Sequence, residues 1–512
     1  MPAGEPDLGV AIERFLATAR TPALLEPGED QFALAEGQYE LQRRGGRVVI
    51  QVWDDTRNLV RRVLAVREER PGRLALTVER FARQQGQVLL LDLARSKPAE
   101  ERRGARLVFR EQFRRSLLRQ FPGWQVAELS TEPNLEESLS PAYARALVKK
   151  GASGLAALAA PPEPGSAAGA LTFGLIWLDY LRRRERRLTV EGLALFLPQA
   201  EARSIYLRLP FLNPNAARYM PFVYSPEGYE DRLDPADCGN LDTQLDPVSH
   251  LSQASPPRAA AWVERLCGLP FVERVALNGG AVSLRVRGLE VARGTQRGLV
   301  FGLEQRQAAG EGSLAEIEEL AREVALRRSA SAADRDSPLY RLQPEAWLES
   351  QVRGHIEHID SSLYPSPVYG QVPALAGGER GVIDLLAADR HGRLAVIELK
   401  ASEDIHLPLQ ALDYWMRVKW HAERGEFSER GYFPGIALRP DPPRLVLIAP
   451  ALEFHPKTET ILRFFAPEID VERIGLGADW RKRPAVMFRV AGARRPVCDN
   501  GRPDPRLVRG GP

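Results

Sequence analysis

Short runs in which hydrophobic and polar residues alternate dominate residues 31–93. Turn-forming segments separate them, at 43–47 (RRGGR) and 70–73 (RPGR). Alternation with a period of two, interrupted by such turns, is typical of antiparallel hairpins. We therefore predict a β-rich N-terminal domain over residues 1–100, with strands in FALAEGQYELQ, GRVVIQVW, NLVRRVLAVREE, RLALTVERF and QVLLLDLA.

The periodicity changes several times between residues 101 and 312. Apolar residues at helical spacing predict helices in LVFREQFRRSLLRQF (107–121), SPAYARALVKKGASGLAALAA (140–160) and LTFGLIWLDYLRRRERR (171–187). We expect strands at 190–198 and 203–212, an acidic surface loop at 222–247 and a strand meander at 271–305. This predicts an α+β middle region, for which the sequence indicates no chemistry.

A helix and a polar connector at 313–337 separate the middle region from the last third of the chain. Over residues 338–495, segments of helical spacing alternate with short apolar runs: QPEAWLESQVRGHIEHID, RGVIDLLAAD, RLAVIELK, LPLQALDYWMRVKWHAERG, RLVLIAP, KTETILRFFAP and PAVMFRVA. Such alternation predicts an α/β domain with a mixed central sheet flanked by helices. We expect a flexible tail at 496–512.

The composition, 44% hydrophobic and 27% charged residues, is that of a folded soluble protein. No run approaches the roughly 18 apolar residues of a membrane span, and the first residues lack the pattern of a secretory signal. Cys238, Cys267 and Cys498 match no metal-binding spacing, so we expect reduced thiols and no zinc. We therefore expect a cytoplasmic protein without a membrane partner.

The formal net charge of +3 neither requires nor excludes a polyanionic partner. Arginine is concentrated at 105–121, 181–188 and 480–484. Each run alone is typical of a solvated helix face. The chain contains no P-loop motif, so it has no ATP site of its own.

A glutamate and a lysine lie one residue apart at the end of the apolar run VIELK. Because side chains of a strand alternate between faces, Glu398 and Lys400 share one face. The preceding run, GVIDLLAAD, carries Asp384, and a tight turn at 389–393 would fold the two strands antiparallel and bring Asp384 beside Glu398. Two carboxylates and an ammonium group would then meet on a mostly apolar sheet.

Such a cluster is expensive because neighbouring carboxylates repel each other and buried charges need partners. A hard divalent cation resolves this, since Mg²⁺ takes one or two protein carboxylates and completes its shell with water and phosphate oxygens. The alternative is a surface hairpin with a chance Glu-x-Lys triplet. The apolar flanks, the upstream acid and the scarcity of lysine, seven residues against 63 arginines, favour a metal site.

The residues that carry a family resemblance are Asp384, the ELK run at 398–400, Gln410 and Tyr414. With them, the last third of the chain resembles the PD-(D/E)XK nuclease superfamily. The Gln-x-x-x-Tyr element is similar to that of RecB-type members, and GVIDLLAADRHGRLAVIELK is similar to the C-terminal domain of NucS-type endonucleases. The resemblance covers about residues 338–490. Ile383 departs from the family pattern, which has proline there, but proline supplies no ligand.

The resemblance implies that Asp384, Glu398 and the Leu399 carbonyl bind Mg²⁺, which Mn²⁺ can replace, and that Lys400 helps to activate a water. It places Glu349 where many members keep a further acid, although an ordinary solvated helix glutamate is the alternative. Gln410 and Tyr414 share one helix face at i and i+4. In the family they contact DNA or brace the site, and a core tyrosine is the alternative for Tyr414.

We therefore expect a Mg²⁺-dependent deoxyribonuclease that acts in repair or defence, in which arginine-rich segments contact the DNA backbone. A catalytically silent nucleic-acid-binding or assembly module built on a nuclease fold is one alternative, and an RNA-cleaving nuclease is another. The sequence leaves open endonuclease or exonuclease action, a protein partner and a homodimer.

Overall fold

The computed structural model describes most of the chain. The described residues are 8–26, 32–34, 39–44, 47–53, 58–70, 72–79, 85–92, 99–134, 136–163, 165–225, 229–235, 241, 243–248, 257–277, 281–295, 297–303, 306–335, 337–376 and 379–493. Cys238, Cys498 and the predicted tail at 496–512 lie outside them. Within them Cys267 is a free thiol, and no helix is long and apolar enough to cross a membrane.

The helices are α1 (Leu8–Thr18), α2 (Ala99–Gln120), α3 (Ala170–Arg184), α4 (Ala202–Tyr206), α5 (Pro257–Cys267), α6 (Ser313–Arg327), α7 (Pro338–Arg341), α8 (Pro344–Gly354), α9 (Ile356–Ile359), α10 (Leu407–Glu423), α11 (Glu426–Glu429) and α12 (Thr458–Leu462). The strands are β1 (Pro22–Leu25), β2 (Phe32–Ala33), β3 (Tyr39–Arg44), β4 (Arg47–Trp53), β5 (Asn58–Arg70), β6 (Arg73–Glu79), β7 (Gln85–Asp92), β8 (Gln125–Ser130), β9 (Ala144–Lys150), β10 (Ser153–Ala159), β11 (Thr189–Pro198), β12 (Arg218–Tyr224), β13 (Glu230–Arg232), β14 (Thr243–Leu245), β15 (Glu273–Ala276), β16 (Val282–Val286), β17 (Leu289–Thr295), β18 (Gly298–Phe301), β19 (Gln307–Ala308), β20 (Tyr369–Ala376), β21 (Glu379–Ala388), β22 (Leu394–Leu399), β23 (Arg444–Pro450), β24 (Val471–Leu476) and β25 (Val486–Ala491).

These elements form a multi-domain α/β protein with four sheets. The first sheet is an antiparallel half-barrel in the order β2-β1-β7-β6-β5-β4-β3. Helix α1 closes it by packing Ile12 and Phe15 against a core that contains Ile50 and Leu74. The prediction of N-terminal antiparallel hairpins is confirmed.

The prediction of a helix at 140–160 is wrong. These residues form the hairpin of β9 and β10, which turns at Gly151 with φ +60°. Both strands are buried on two faces, because α2 covers one side of the sheet and α3 covers the other. A strand buried on both faces is apolar throughout and therefore lacks the period-two signal.

Two further predictions for the middle region are wrong. Residues 203–212 form helix α4 and a 3-10 turn at Leu209–Phe211 instead of a strand. The predicted loop at 222–247, parts of which lie outside the described residues, contains β13 and β14. Strand β14 pairs antiparallel with β20 and so becomes an edge of the C-terminal sheet, held by buried Leu245. The predicted strand meander is confirmed as β15 to β18 of a separate five-stranded sheet.

The C-terminal sheet is mixed, in the order β14-β20-β21-β22-β23-β24-β25. Strands β22, β23 and β24 run parallel to one another, whereas β21 pairs antiparallel with both β20 and β22. The alternation expected for RLAVIELK is present, because Leu394 and Val396 join one core and Ala395 and Ile397 join the other. Sequence patterning missed β20 and β24.

The middle sheet and the C-terminal sheet share one hydrophobic core. Trp177 of α3 and Leu193 of β11 belong to the same buried cluster as Val396 and Trp415 of the C-terminal sheet and helix α10. Arg208 also donates to Asp413 of α10 at 2.7 Å between Nε and Oδ1. The middle region therefore covers the α10 side of the C-terminal sheet.

We predict that Gly392→Ala destabilises the protein by roughly 1–3 kcal/mol, because a residue with a side chain is strained there. Gly392 has φ +83° in the turn between β21 and β22, and a Cβ atom would lie 2.0 Å from the Ala437 carbonyl oxygen. Thermal unfolding measures the effect. Gly310→Ala, where a Cβ meets no atom within 4 Å, is the control, expected within about 0.5 kcal/mol of the parent. Equal melting temperatures for both variants would contradict this account of the turn.

Candidate functional site

The hairpin of β21 and β22 brings the two predicted acids together. Leu386 pairs with Val396 and Leu385 with Ile397, so one further step in the same register sets Asp384 opposite Glu398. The backbone N–H of Leu399 donates to Asp384 Oδ2 at 2.8 Å. Both carboxylates therefore lie at the end of the hairpin, where the antiparallel pairing stops.

Burial shifts the titration of both acids. Glu398 is only 4% exposed, and burial together with the nearby Asp384 carboxylate raises its pKa well above the usual value. Burial also raises the pKa of Asp384 to about 7, although the Leu399 N–H and Lys400 favour its ionised form. Glu398 Oε2 has no hydrogen-bond partner among the described residues. The pair thus contains one buried carboxylate oxygen, Glu398 Oε2, that no described residue satisfies.

Lys400 lies beside this pair with its side chain 18% exposed. Its Nζ is 3.3 Å from Asp404 Oδ2 and 3.8 Å from Glu345 Oε1. Burial alone would lower the pKa of Lys400, but the surrounding carboxylates outweigh burial and raise it. The ammonium group therefore stays charged throughout the physiological range.

Helix α10 supplies the two predicted supporting residues. Gln410 Oε1 is buried and has no hydrogen-bond partner among the described residues. Burial raises the pKa of Tyr414, and the negative charges of Glu398 and Asp384 raise it further. Both acids therefore act electrostatically on Tyr414, and its hydroxyl remains a proton donor near them.

Glu349, predicted as a supporting acid, is held by another set of residues. Its carboxylate accepts from Arg353 at 3.0 Å, Gln371 at 3.3 Å and Arg285 at 3.5 Å. Burial raises its pKa even though the two arginines oppose the shift. Glu349 therefore pairs with cations of α8 and the five-stranded sheet, and it also adds to the negative potential at Asp384.

Glu345 is a site residue that the sequence analysis missed. It lies in the first turn of α8, is about half exposed and approaches Lys400. Its charge raises the pKa of both Asp384 and Glu398. The available signal was the i, i+4 spacing of Glu345 and Glu349, which sets both acids on one helix face.

Asp404 was also missed. It lies four residues after Lys400, and its Oδ1 accepts from the backbone N–H of His406 at 2.7 Å, while its Oδ2 faces Lys400. This bond fixes the carboxylate in the loop between β22 and α10. Asp404 thereby holds the Lys400 ammonium in place from the side opposite the strand.

The donor chemistry of the site fits a hard divalent cation. No group of three or more His, Cys, Asp or Glu side chains in the described ranges is arranged to hold a metal ion. Mg²⁺ needs fewer, since one or two carboxylates with carbonyl and water oxygens suffice. The unsatisfied Oε2 of Glu398 provides a hard donor next to Asp384, and the unsatisfied Oε1 of Gln410 on α10 is a second oxygen of the same chemical type.

Fold and site together define an α/β protein whose mixed sheet carries a buried acidic pair next to a lysine. Compared with known proteins, the chain matches no family model and no curated protein.

We predict that the stability of the metal-free protein falls as the pH rises from about 4 to about 7. The unfolded chain releases the Asp384 proton near 3.8, whereas the folded protein retains it up to about 7. Asp384→Asn should weaken this pH dependence, to which the raised pKa of Glu398 also contributes, and raise the melting temperature at pH 8 in a chelating buffer. Asp470→Asn, at a position with its side chain 54% exposed, is the control. If the melting temperature of Asp384→Asn changes with pH as that of the parent does, Asp384 does not cause the pH dependence.

Proposed function

We propose that the protein is a metal-dependent nuclease that hydrolyses phosphodiester bonds, with DNA as its substrate. The observation that carries this proposal is the buried Glu398 carboxylate, whose Oε2 lacks a partner beside Asp384 and the charged Lys400. Burying carboxylates in this way is unfavourable unless a ligand compensates their charge. A divalent cation with a phosphate group is a ligand that suits all three side chains.

The order of elements around the pair supports the same proposal. An antiparallel hairpin carries the acids, helix α10 follows the lysine, and β23 returns parallel to β22. This arrangement, with the ELK run at 398–400 and the Gln410 and Tyr414 pair, is similar to the PD-(D/E)XK nucleases. The proposed family assignment rests on these elements alone.

Asp384, Glu398 and the Leu399 carbonyl would hold Mg²⁺ or Mn²⁺. When bound, the ion would polarise the phosphoryl oxygens and make a coordinated water a stronger nucleophile. Glu398 lies in a buried environment, so a low local dielectric strengthens each electrostatic interaction there.

Lys400 acts as a fixed positive charge in this proposal. Because its pKa is raised, it holds its proton and stabilises the negative charge that develops on the phosphate, rather than removing a proton from water. Glu345 and Asp404 hold the ammonium group between them. Tyr414 and Gln410 can donate to substrate oxygens from the α10 side of the pocket.

We predict that the parent protein cuts plasmid or single-stranded DNA with Mg²⁺ or Mn²⁺, and that Asp384→Ala and Lys400→Ala each reduce cutting by about 10² or more. Lys419→Ala, which removes a lysine that pairs with Glu423 on α10, is the matched control and should retain activity. RNA is assayed alongside DNA. Cutting that survives both site substitutions would refute the site, and a parent that cuts no nucleic acid would favour a binding module.

We predict that the two acids of helix α8 differ in effect. Glu345→Gln should lower kcat/KM roughly 10- to 100-fold at unchanged stability, because the side chain is half exposed and orients Lys400. Glu349→Gln should lower stability by up to roughly 3–5 kcal/mol, because it leaves the buried Arg285 with an uncharged partner, whereas Arg353 keeps Glu273. Thermal unfolding and initial rates separate the effects. A Glu345→Gln variant that loses stability but keeps its kcat/KM, or a Glu349→Gln variant that keeps its stability, would contradict these roles.

A further inference from the structure

A second polar cavity lies outside the acidic site. This cleft has a volume of about 800 Å³, and its walls come from the five-stranded sheet, the segment after α6, helices α7 to α9 and the loop after β24. Such a volume is in the range of ligand-binding pockets. The cleft is lined by four cationic side chains: Arg287, Arg335, Arg481 and Lys482.

Two of these arginines are half-buried and lack a carboxylate partner. Among the described residues, no carboxylate lies within ion-pair distance of Arg287 or Arg481. Burial lowers the pKa of both guanidinium groups, which means that their surroundings disfavour the positive charge. Two acids, Glu273 and Asp479, line the cleft against the four cations, and Glu273 is already paired with Arg353 at 2.7 Å. The cleft therefore has an excess of positive charge over negative charge.

The packing fixes both arginines in position. Arg287 has φ +49° at the tip of the β16–β17 hairpin, and the buried Arg328 donates to its carbonyl oxygen at 3.1 Å. Gly288 beside it packs against Ala346 of α8, where a Cβ would lie 2.0 Å from the carbonyl oxygen. Arg481 lies over the ring of Trp480 at 4.3 Å. Strained backbone and stacked guanidinium groups are more consistent with a binding surface than with mobile surface side chains.

Helix α8 contributes to this cleft and to the acidic site. Gln351 lines the cleft, and Glu345, six residues earlier and about 9 Å away along the helix axis, approaches Lys400. Phe271, which lies just before β15 and is partly exposed, adds an aromatic surface to the cleft. Arginines without carboxylate partners, together with an aromatic side chain, are the features with which proteins hold single-stranded nucleic acids.

We propose that this cleft binds the phosphate backbone of a single-stranded nucleic-acid segment. The inference rests on the proposed function, because it assigns a second contact to the same substrate. Arg287 and Arg481 would contact phosphates inside the cleft, and Arg335 and Lys482 would contact them at its exposed rim. The contact is independent of sequence, since phosphates carry no base information.

The test measures binding without catalysis. A fluorescently labelled single-stranded oligonucleotide is titrated with the full chain in a chelating buffer, and anisotropy is recorded at several salt concentrations. Arg335→Gln combined with Lys482→Gln should weaken binding several-fold and reduce the slope of log K against log salt by about 1.4, roughly 0.7 per lost phosphate contact on a single strand. Both positions are exposed, so the melting temperature should not change.

The matched control is Arg424→Gln combined with Arg463→Gln, two exposed arginines that do not line the cleft. This variant should bind like the parent. The proposal is overturned if both double variants lose the same affinity for the oligonucleotide or if the parent does not bind it. It is also overturned if the parent binds a mononucleotide but not the oligonucleotide. Binding is measured here without a divalent cation, and cutting is measured separately with Mg²⁺ or Mn²⁺. A protein that binds through the cleft but does not cut would refute the nuclease proposal and leave the cleft proposal standing.

Discussion

The close placement of two carboxylates, Asp384 and Glu398, in a poorly solvated position dominates the electrostatics of the C-terminal domain. Asp384 and Glu398 lie opposite each other at the end of a hairpin, and burial raises the pKa of both. A fold that needed only stability would fill this position with apolar side chains, which often pack at no loss of stability. The cation that we propose would compensate the charge of these acids.

The surrounding structure buries Glu398 and keeps Lys400 charged. The middle region shares a core with the α10 side of the C-terminal sheet, and ion pairs join the two, with Glu137 contacting both Arg183 of α3 and Lys457 just before α12. On the other face, Trp347 and Leu348 of α8 pack against the same hairpin. Helix α8 thus connects the hairpin to the five-stranded sheet and its cationic cleft.

Much of the C-terminal hairpin could be predicted because Asp384, Glu398 and Lys400 interrupt otherwise apolar runs. Alternation along RLAVIELK placed Glu398 and Lys400 on one side, and the turn at 389–393 supplied the pairing with Asp384. The hairpin at 140–160 could not be predicted, because strands buried on both faces show no alternation. Nor could the sequence distinguish Glu345 from Glu349, since their difference lies in partners that are distant in the chain, such as Arg285.

Anomalous scattering from a crystal soaked with Mn²⁺ tests directly whether Asp384 and Glu398 bind a divalent metal ion. The account predicts an anomalous difference peak about 2.1 Å from carboxylate oxygens of both Asp384 and Glu398, with Lys400 outside the coordination shell. A soaked crystal with no peak at this pair, or with the Lys400 ammonium group between the two carboxylates in place of a metal, would contradict it.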